Sequence, residues 1–344
     1  MKQDIIIFTH NDLDALGCLM VINEKFKSDS FNKFVYHTNY QNIPEQVQAM
    51  NKQIEEIKPK LVIVCDVSFS TNKLELCRLY GECQLYNIPM LYLDHHLYPL
   101  DFWDEFPNMK TFYDVKRCAS KICLDVLLPN EKDTELSKLI GIIDVYDIWQ
   151  DHHKAFAVSQ RLNNYFWHCI RNDQDIEKQA IDYKNRGYKV ASDFVQVTSD
   201  YIAESKKAIA LLEEKNLIMK NDHHKVSIFM SNDYYNDFMI TEHARGQSFV
   251  IGINSWGLIK VRVSQHNDIS LYTLDRIRLA CTGTVDIGHA HAFTWKSSMN
   301  FASDPAGALV YECKRVTSII AEAMLPSNNP TYDNNIDFDD DIPF

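Results

Sequence analysis

The stretch DIIIFTHNDLDALG, residues 4–17, sets a histidine and two aspartates at alternating positions, His10, Asp12 and Asp14, directly behind the apolar run Ile5-Ile6-Ile7-Phe8. Four consecutive strong hydrophobes, mostly β-branched, read as a strand buried on both faces. The spaced apolar residues from about 14 to 27 then read as a helix. A strand, a short polar turn and a helix open a doubly wound sheet, and in such sheets ligand sites gather at the strand C-terminal ends. Ligand-type side chains in the turn are what that placement calls for.

The pattern repeats downstream. FVYHTNY (34–40), a helix near 44–57, KLVIVCD (60–66) and PMLYLDHH (89–96) continue the alternation, so the expected class is α/β, with a doubly wound, mostly parallel sheet over residues 1–170. Residues 173–220 lack proline, contain one glycine and space their apolar residues between charges, which reads as long helix and makes 171–222 a helical connector. KVSIFM, SFVIGIN and LIKVRVS then read as strands, followed by a glycine-containing turn at 283–288 and a helix over 304–324. These form a smaller C-terminal α/β domain, 223–325. Residues 326–344, rich in Asn, Asp and Pro, read as a flexible acidic tail.

At 344 residues the chain suits two domains of ordinary size. With 46% hydrophobic and 24% charged residues it has the composition of a soluble globular protein. No apolar run reaches the roughly 18 residues needed to span a bilayer, and the N-terminus lacks the basic and apolar regions of a signal peptide. The expectation is a cytoplasmic protein with no membrane partner. Nine cysteines without Cys-x-x-Cys spacing suggest neither a disulfide framework nor a cysteine-bound zinc site, so they read as buried or incidental thiols. A net charge of −12 argues against a general basic surface for long nucleic acid. It leaves room for a local basic groove or metal-mediated phosphate binding.

Further carboxylates and imidazoles recur at what read as strand ends. They are Asp66 after LVIVC, Asp94, His95 and His96 after MLYL, and Asp144 with Asp147 after LIGII, taken as a fourth strand. One aspartate after a strand is commonly a cap or turn former; four such sites together point to metal. Carboxylates mixed with imidazoles and no thiolate fit Mn2+ best, with Mg2+ or Zn2+ as alternatives, and the set is large enough for two divalent ions. The triplet Asp-His-His recurs at 151–153, in a polar segment, and at 222–224, in a loop before KVSIFM; neither follows an apolar strand, and both read as solvated loop.

HNDLDALG, the strand-terminal Asp66, LDHH and GIIDVYDIW resemble, in order and spacing, the four N-terminal motifs of the DHH phosphoesterase superfamily. The resemblance covers about residues 4–150. IKVRVSQHNDISLYTLDRI and GTVDIGHAHAFTW resemble the DHH-associated C-terminal domain, with Gly288 and His289 kept from its Gly-Gly-Gly-His motif and Asp286 and Ile287 where glycines are usual. Ala15 stands where RecJ-type exonucleases usually carry glycine, and the oligoribonuclease branch often has Asp-Ala there. The resemblance implies one ion on His10, Asp12 and Asp66 and a second on Asp14, Asp66, His95 and Asp144, with Asp66 bridging. It implies catalytic roles for Asp66, His95 and His96, substrate contacts from His96, Arg262, Gly288 and His289, and a supporting role for Asp147. The implied reaction is phosphodiester hydrolysis in single-stranded or short oligonucleotides. The alternatives are a small nucleotide substrate, such as a cyclic dinucleotide or a phosphoadenosine phosphate, and a non-catalytic adaptor.

The closing DFDDDIPF (337–344) resembles the C-terminal tip of bacterial single-stranded DNA-binding proteins, which docks on repair and replication enzymes. Phe344 and its carboxylate supply an anchor, Pro343 limits the ordering cost, and Ile342 with Asp339, Asp340 and Asp341 completes the element. The expected partners are proteins that recognise such tips, as a phage or mobile-element protein would recruit them.

Overall fold

The computed structural model describes residues 2–38, 42–99, 101–150, 152–214, 218–221, 226–231, 249–254, 258–263, 269, 271–282, 292–297 and 305–324. The first sheet contains β1 (Gln3–Thr9), β2 (Phe31–His37), β3 (Leu61–Cys65), β4 (Met90–Asp94) and β5 (Lys110–Tyr113). All its pairings are parallel, in the order β2-β1-β3-β4-β5. That order reverses direction between β1 and β3, which is where a doubly wound sheet opens a crevice at its C-terminal edge. In register, Ile7 of β1 stands between Val35 and Ile63.

Both faces of this sheet are covered. Ile5 and Ile7 pack into one core with α1 (Leu13–Lys25), α4 (Ala119–Leu127), α5 (Glu135–Asp147) and α6 (Phe156–Arg171), while Ile6 and Phe8 pack into another with α2 (Ile43–Ile57) and α3 (Lys73–Leu85). The side-chain period of two sends alternate residues of one strand to opposite cores, so the apolar run is continuous rather than alternating.

LIGII belongs to a helix and not to a strand. Leu136, Leu139, Ile140 and Ile143 recur at helical spacing and are buried, and Thr134 caps α5 by accepting from the Ser137 amide at 3.2 Å. The short apolar run looks strand-like alone, but the periodicity extends through the residues on both sides. Asp144 and Asp147 thus sit one turn apart at the helix C-terminus.

The helical connector is two helices, α7 (Ile176–Asn185) and α8 (Phe194–Glu214). The break falls at the segment's one glycine, where Gly187 and Tyr188 both take left-handed backbone at φ 62°. Among the described residues, no helix is long and apolar enough to cross a membrane.

The second sheet contains β6 (Ile218–Asn221), β7 (Val226–Ser231), β8 (Phe249–Asn254), β9 (Leu258–Val263) and β10 (Ala292–Lys296), in the order β10-β9-β8-β7-β6. Its pairings are antiparallel except β7 with β8. It packs with α9 (Leu271–Thr282) and α10 (Pro305–Met324) around Phe249, Ile251, Ile259, Val261, Ile277 and Ile320. Gly288, His289 and the tail from 325 to 344 lie outside the described residues.

Candidate metal centre

Four elements deliver side chains to the crevice between β1 and β3. Beyond β1, His10 Nδ1 lies 2.8 Å from Asp12 Oδ2. Asp12 also caps α1, its Oδ1 accepting from the Ala15 amide at 3.0 Å. Capping and ligation are compatible here because each uses a different carboxylate oxygen. Burial pushes the Asp12 carboxyl up, but His10 beside it more than compensates and holds it well below the usual range.

Asp14, in the first turn of α1, is buried and anchored on the N-terminus of α4. Its Oδ2 accepts from the Ala119 amide at 2.7 Å and its Oδ1 from the Ser120 amide at 2.9 Å. The approach of α1 to α4 and α5 is close enough that a Cβ on Gly17 would stand 2.6 Å from the Ser120 Cβ. Burial and the Asp12 charge push Asp14 up to about 7, against those hydrogen bonds.

Asp66 follows β3 in left-handed backbone at φ 57°, a conformation aspartate tolerates better than most residues. It is 2% exposed. Its Oδ1 lies 3.4 Å from His95 Nε2, while its Oδ2 meets no hydrogen-bond partner among the described residues. Burial and the Asp12, Asp14, Asp147 and Asp94 charges push it well above the usual carboxylate range.

At the end of β4, His95 is buried, and burial together with His96 lowers its pKa to about 3, so it is neutral and able to ligate. Its Nε2 stands 3.3 Å from Asp147 Oδ2 and 3.7 Å from Asp14 Oδ2. His96 turns to Asp94: its Nδ1 is 2.8 Å from Asp94 Oδ1, and Tyr98 donates its hydroxyl to Asp94 Oδ2. Burial pulls the His96 pKa down, but Asp94 outweighs it and the net shift is upward. Asp94 therefore fixes the ring.

Two groups of donors, each with its ligand atoms within 4.8 Å of one another, are His10, Asp12 and Asp66, and Asp14, His95 and Asp147; a third, Asp66, Asp94, His95 and His96, overlaps both. Asp66 connects them through His95. The sequence points to Asp144 in the second group; the structure brings Asp147 there instead. Asp144 Oδ1 accepts from the Cys118 amide at 2.7 Å, so it is engaged in capping α4. The two differ by one helical turn, and a strand reading does not tell which faces the crevice. Asp147 Oδ2 is buried with no hydrogen-bond partner among the described residues, and burial with the Asp14, Asp12 and Asp144 charges pushes Asp147 well up.

Arg262 of β9 reaches this side, its Cζ 4.9 Å from the Trp149 ring centroid, and its charge acts on Asp147 against the upward shift. Nothing in the sequence singles out Trp149. It is buried against Tyr146 and Phe156 and serves as a stage for the guanidinium. His152 and His153 are exposed, in the turn before α6; Asp222, His223 and His224 lie outside the described residues.

The donor set fits divalent cations. Four carboxylates, two of them with a buried oxygen that meets no hydrogen-bond partner among the described residues, converge with the neutral His95 imidazole. The upward shifts of Asp14, Asp66 and Asp147 express the cost that a bound cation removes. Oxygen and imidazole donors together suit Mn2+.

No family model matches the chain, and no curated protein matches it. Among solved structures it is similar to RecJ in complex with Mn2+ from Thermus thermophilus, at 14% identity and TM-score 0.54, over 93% of this chain and 52% of that one. The chain thus spans about half the length of that protein. It is also similar to an exonuclease RecJ bound to manganese, at 13% identity and TM-score 0.50, over 93% of this chain and 90% of that one. An uncharacterized protein from Helicobacter pylori aligns at 17% identity and TM-score 0.45, over 91% of this chain and 99% of that one. What the chain shares with the two RecJ structures, at these identities, is the fold.

Proposed function

We propose that the protein is a metal-dependent phosphodiesterase acting on single-stranded or short nucleic acid. The observation that carries this reading is the pair of histidine and carboxylate groups at the β1/β3 crevice, with Asp66 and Asp147 oxygens inside it that meet no hydrogen-bond partner among the described residues. His10, Asp12 and Asp66 would hold one ion, and Asp14, His95 and Asp147 the other, with Asp66 adjoining both; Mn2+ suits these donors best. When bound, such ions supply Lewis acidity toward a phosphodiester and activate water for attack. The fold shared with two manganese-bound RecJ structures supports the assignment.

The chain's own residues do the rest. His96, oriented by Asp94, donates to a phosphate oxygen, and the Asp94 carboxylate favours the protonated ring. Arg262, held over Trp149, presents a fork that matches a phosphate bidentately. Gly288 and His289 extend substrate contact by resemblance. The tail, Asp339 to Phe344, offers docking to proteins that bind such tips.

The test is Mn2+-dependent hydrolysis of end-labelled single-stranded DNA, RNA and dinucleotides by the wild type and Asp66→Asn. Product release that the variant loses is the expected result, and the labelled product gives polarity. Absence of hydrolysis with metal bound would direct the assignment to small nucleotides. Absence of both hydrolysis and metal binding would end the enzyme reading.

A further inference from the structure

The nine cysteines show no motif in sequence, yet three of them meet in space. Cys18 of α1, Cys65 at the end of β3 and Cys123 of α4 place their sulfurs within 4.8 Å of one another, and all three are fully buried. No two belong to the same element. Cys65 directly precedes Asp66, which takes left-handed backbone and groups with His10 and Asp12 on one side and His95 on the other.

Three converging sulfurs permit two chemistries, a thiophilic metal ion or a disulfide. Metal ligation requires thiolates, and a closed thiophilic site takes four ligands, whereas this group holds three sulfurs and no imidazole or carboxylate joins it among the described residues. A disulfide is neutral and belongs in an apolar pocket. The surroundings therefore decide for the disulfide.

We infer that Cys18, Cys65 and Cys123 form an oxidisable thiol triad, in which Cys65 closes a disulfide with one of its two neighbours when the protein meets a peroxide. One thiol gives its sulfur electrons to the peroxide O–O bond, yielding a sulfenic acid and an alcohol, or water when the oxidant is hydrogen peroxide. The second thiol then attacks that sulfur, releasing water and forming the S–S bond. Two thiols and one peroxide thus give one disulfide, one alcohol or water, and one water. The third thiol remains beside the bond, available for exchange.

A sulfur–sulfur bond of about 2.05 Å draws together side chains whose sulfurs are now only in contact range. Joining Cys65 to α1 or α4 shifts the residue next to Asp66. Because the thiols are buried, oxidation proceeds through local opening and is slow relative to that of an exposed cysteine. The consequence for hydrolysis rests on the function proposed above; the formation of the bond does not.

The test uses the full-length wild type. It is treated with hydrogen peroxide under native conditions, blocked with N-ethylmaleimide, digested and mapped by mass spectrometry. The expected result is a peptide containing Cys65 cross-linked to one containing Cys18 or Cys123, abolished by dithiothreitol before digestion. If all three remain alkylated as free thiols while other cysteines oxidise, or if Cys65 is oxidised without a cross-link, the inference is overturned. The readout is independent of nuclease activity.

Discussion

His95 Nε2 stands 3.3 Å from Asp147 Oδ2, so the end of β4 and the last turn of α5 converge on one point of the crevice. Asp144, one turn earlier, faces the N-terminus of α4 instead. The two aspartates should therefore fail differently. Asp147→Ala is expected to weaken Mn2+ binding about 100-fold or more, since removing even a supporting partner of a ligand costs about 10–100-fold. Asp144→Ala should instead cost about 1–2 kcal/mol of stability by uncapping α4, with Mn2+ affinity changed less than in Asp147→Ala. Calorimetric Mn2+ titration and urea unfolding of both variants measure the contrast.

Ion binding should be linked to protons. Asp14 is raised from 3.8 to about 7 by burial and the Asp12 charge, and Asp66 and Asp147 are also raised well above the usual carboxylate range. A carboxylate with a raised folded-state pKa stabilises the metal-free fold while protonated; that contribution is complete below 3.8 and is lost as pH rises through the folded value. A cation binds the ionised form and restores what is lost. The difference in melting temperature between Mn2+ and chelator is expected to grow from about pH 6 to about pH 8, with protons released on binding at the lower pH. Calorimetry in two buffers of different ionisation enthalpy counts those protons.

His96 depends on Asp94 for its orientation and its charge. Asp94→Asn keeps the shape of the side chain but removes the charge. It is expected to lower kcat about 10–100-fold while metal is still bound. It should also move the alkaline limb of the pH–rate profile to lower pH, because the His96 pKa falls. An unchanged profile would remove His96 from phosphate contact.

Gly17 allows α1 to lie against α4. A methyl group there would stand 2.6 Å from the Ser120 Cβ, an atom close to the backbone and unable to swing away. Gly17→Ala is expected to destabilise by about 1–3 kcal/mol through overpacking, despite the better helix propensity of alanine. Combining it with Ser120→Gly should recover part of the loss, measured as a coupling energy in a double-mutant cycle.

The strands that carry the crevice are legible in the sequence because each is an apolar run ended by a charged or imidazole residue, and His10, Asp12, Asp14, Asp66 and His95 follow from those ends. The choice between Asp144 and Asp147 is not legible, since it depends on helical phase within LIGIIDVYD and LIGII alone resembles a strand. Nor is Trp149 beneath Arg262, a contact between the end of α5 and β9. The thiol triad is hidden for the same reason: Cys18, Cys65 and Cys123 have no local spacing, and only the packing of α1 and α4 on β3 brings them together.

The donors are scattered from His10 to Asp147 along the chain, and no single supersecondary unit owns either group in full. A nascent polypeptide that ends ahead of α5 already carries His10, Asp12 and Asp66 but lacks the carboxylate that completes the second group. On the proposed function, tight uptake of two ions would be a readout of long-range closure, reached only once β1, β3, β4 and α5 are in register. Ion affinity can serve as a folding probe for this protein, reporting on tertiary order that far-ultraviolet dichroism, dominated by the helices, would miss.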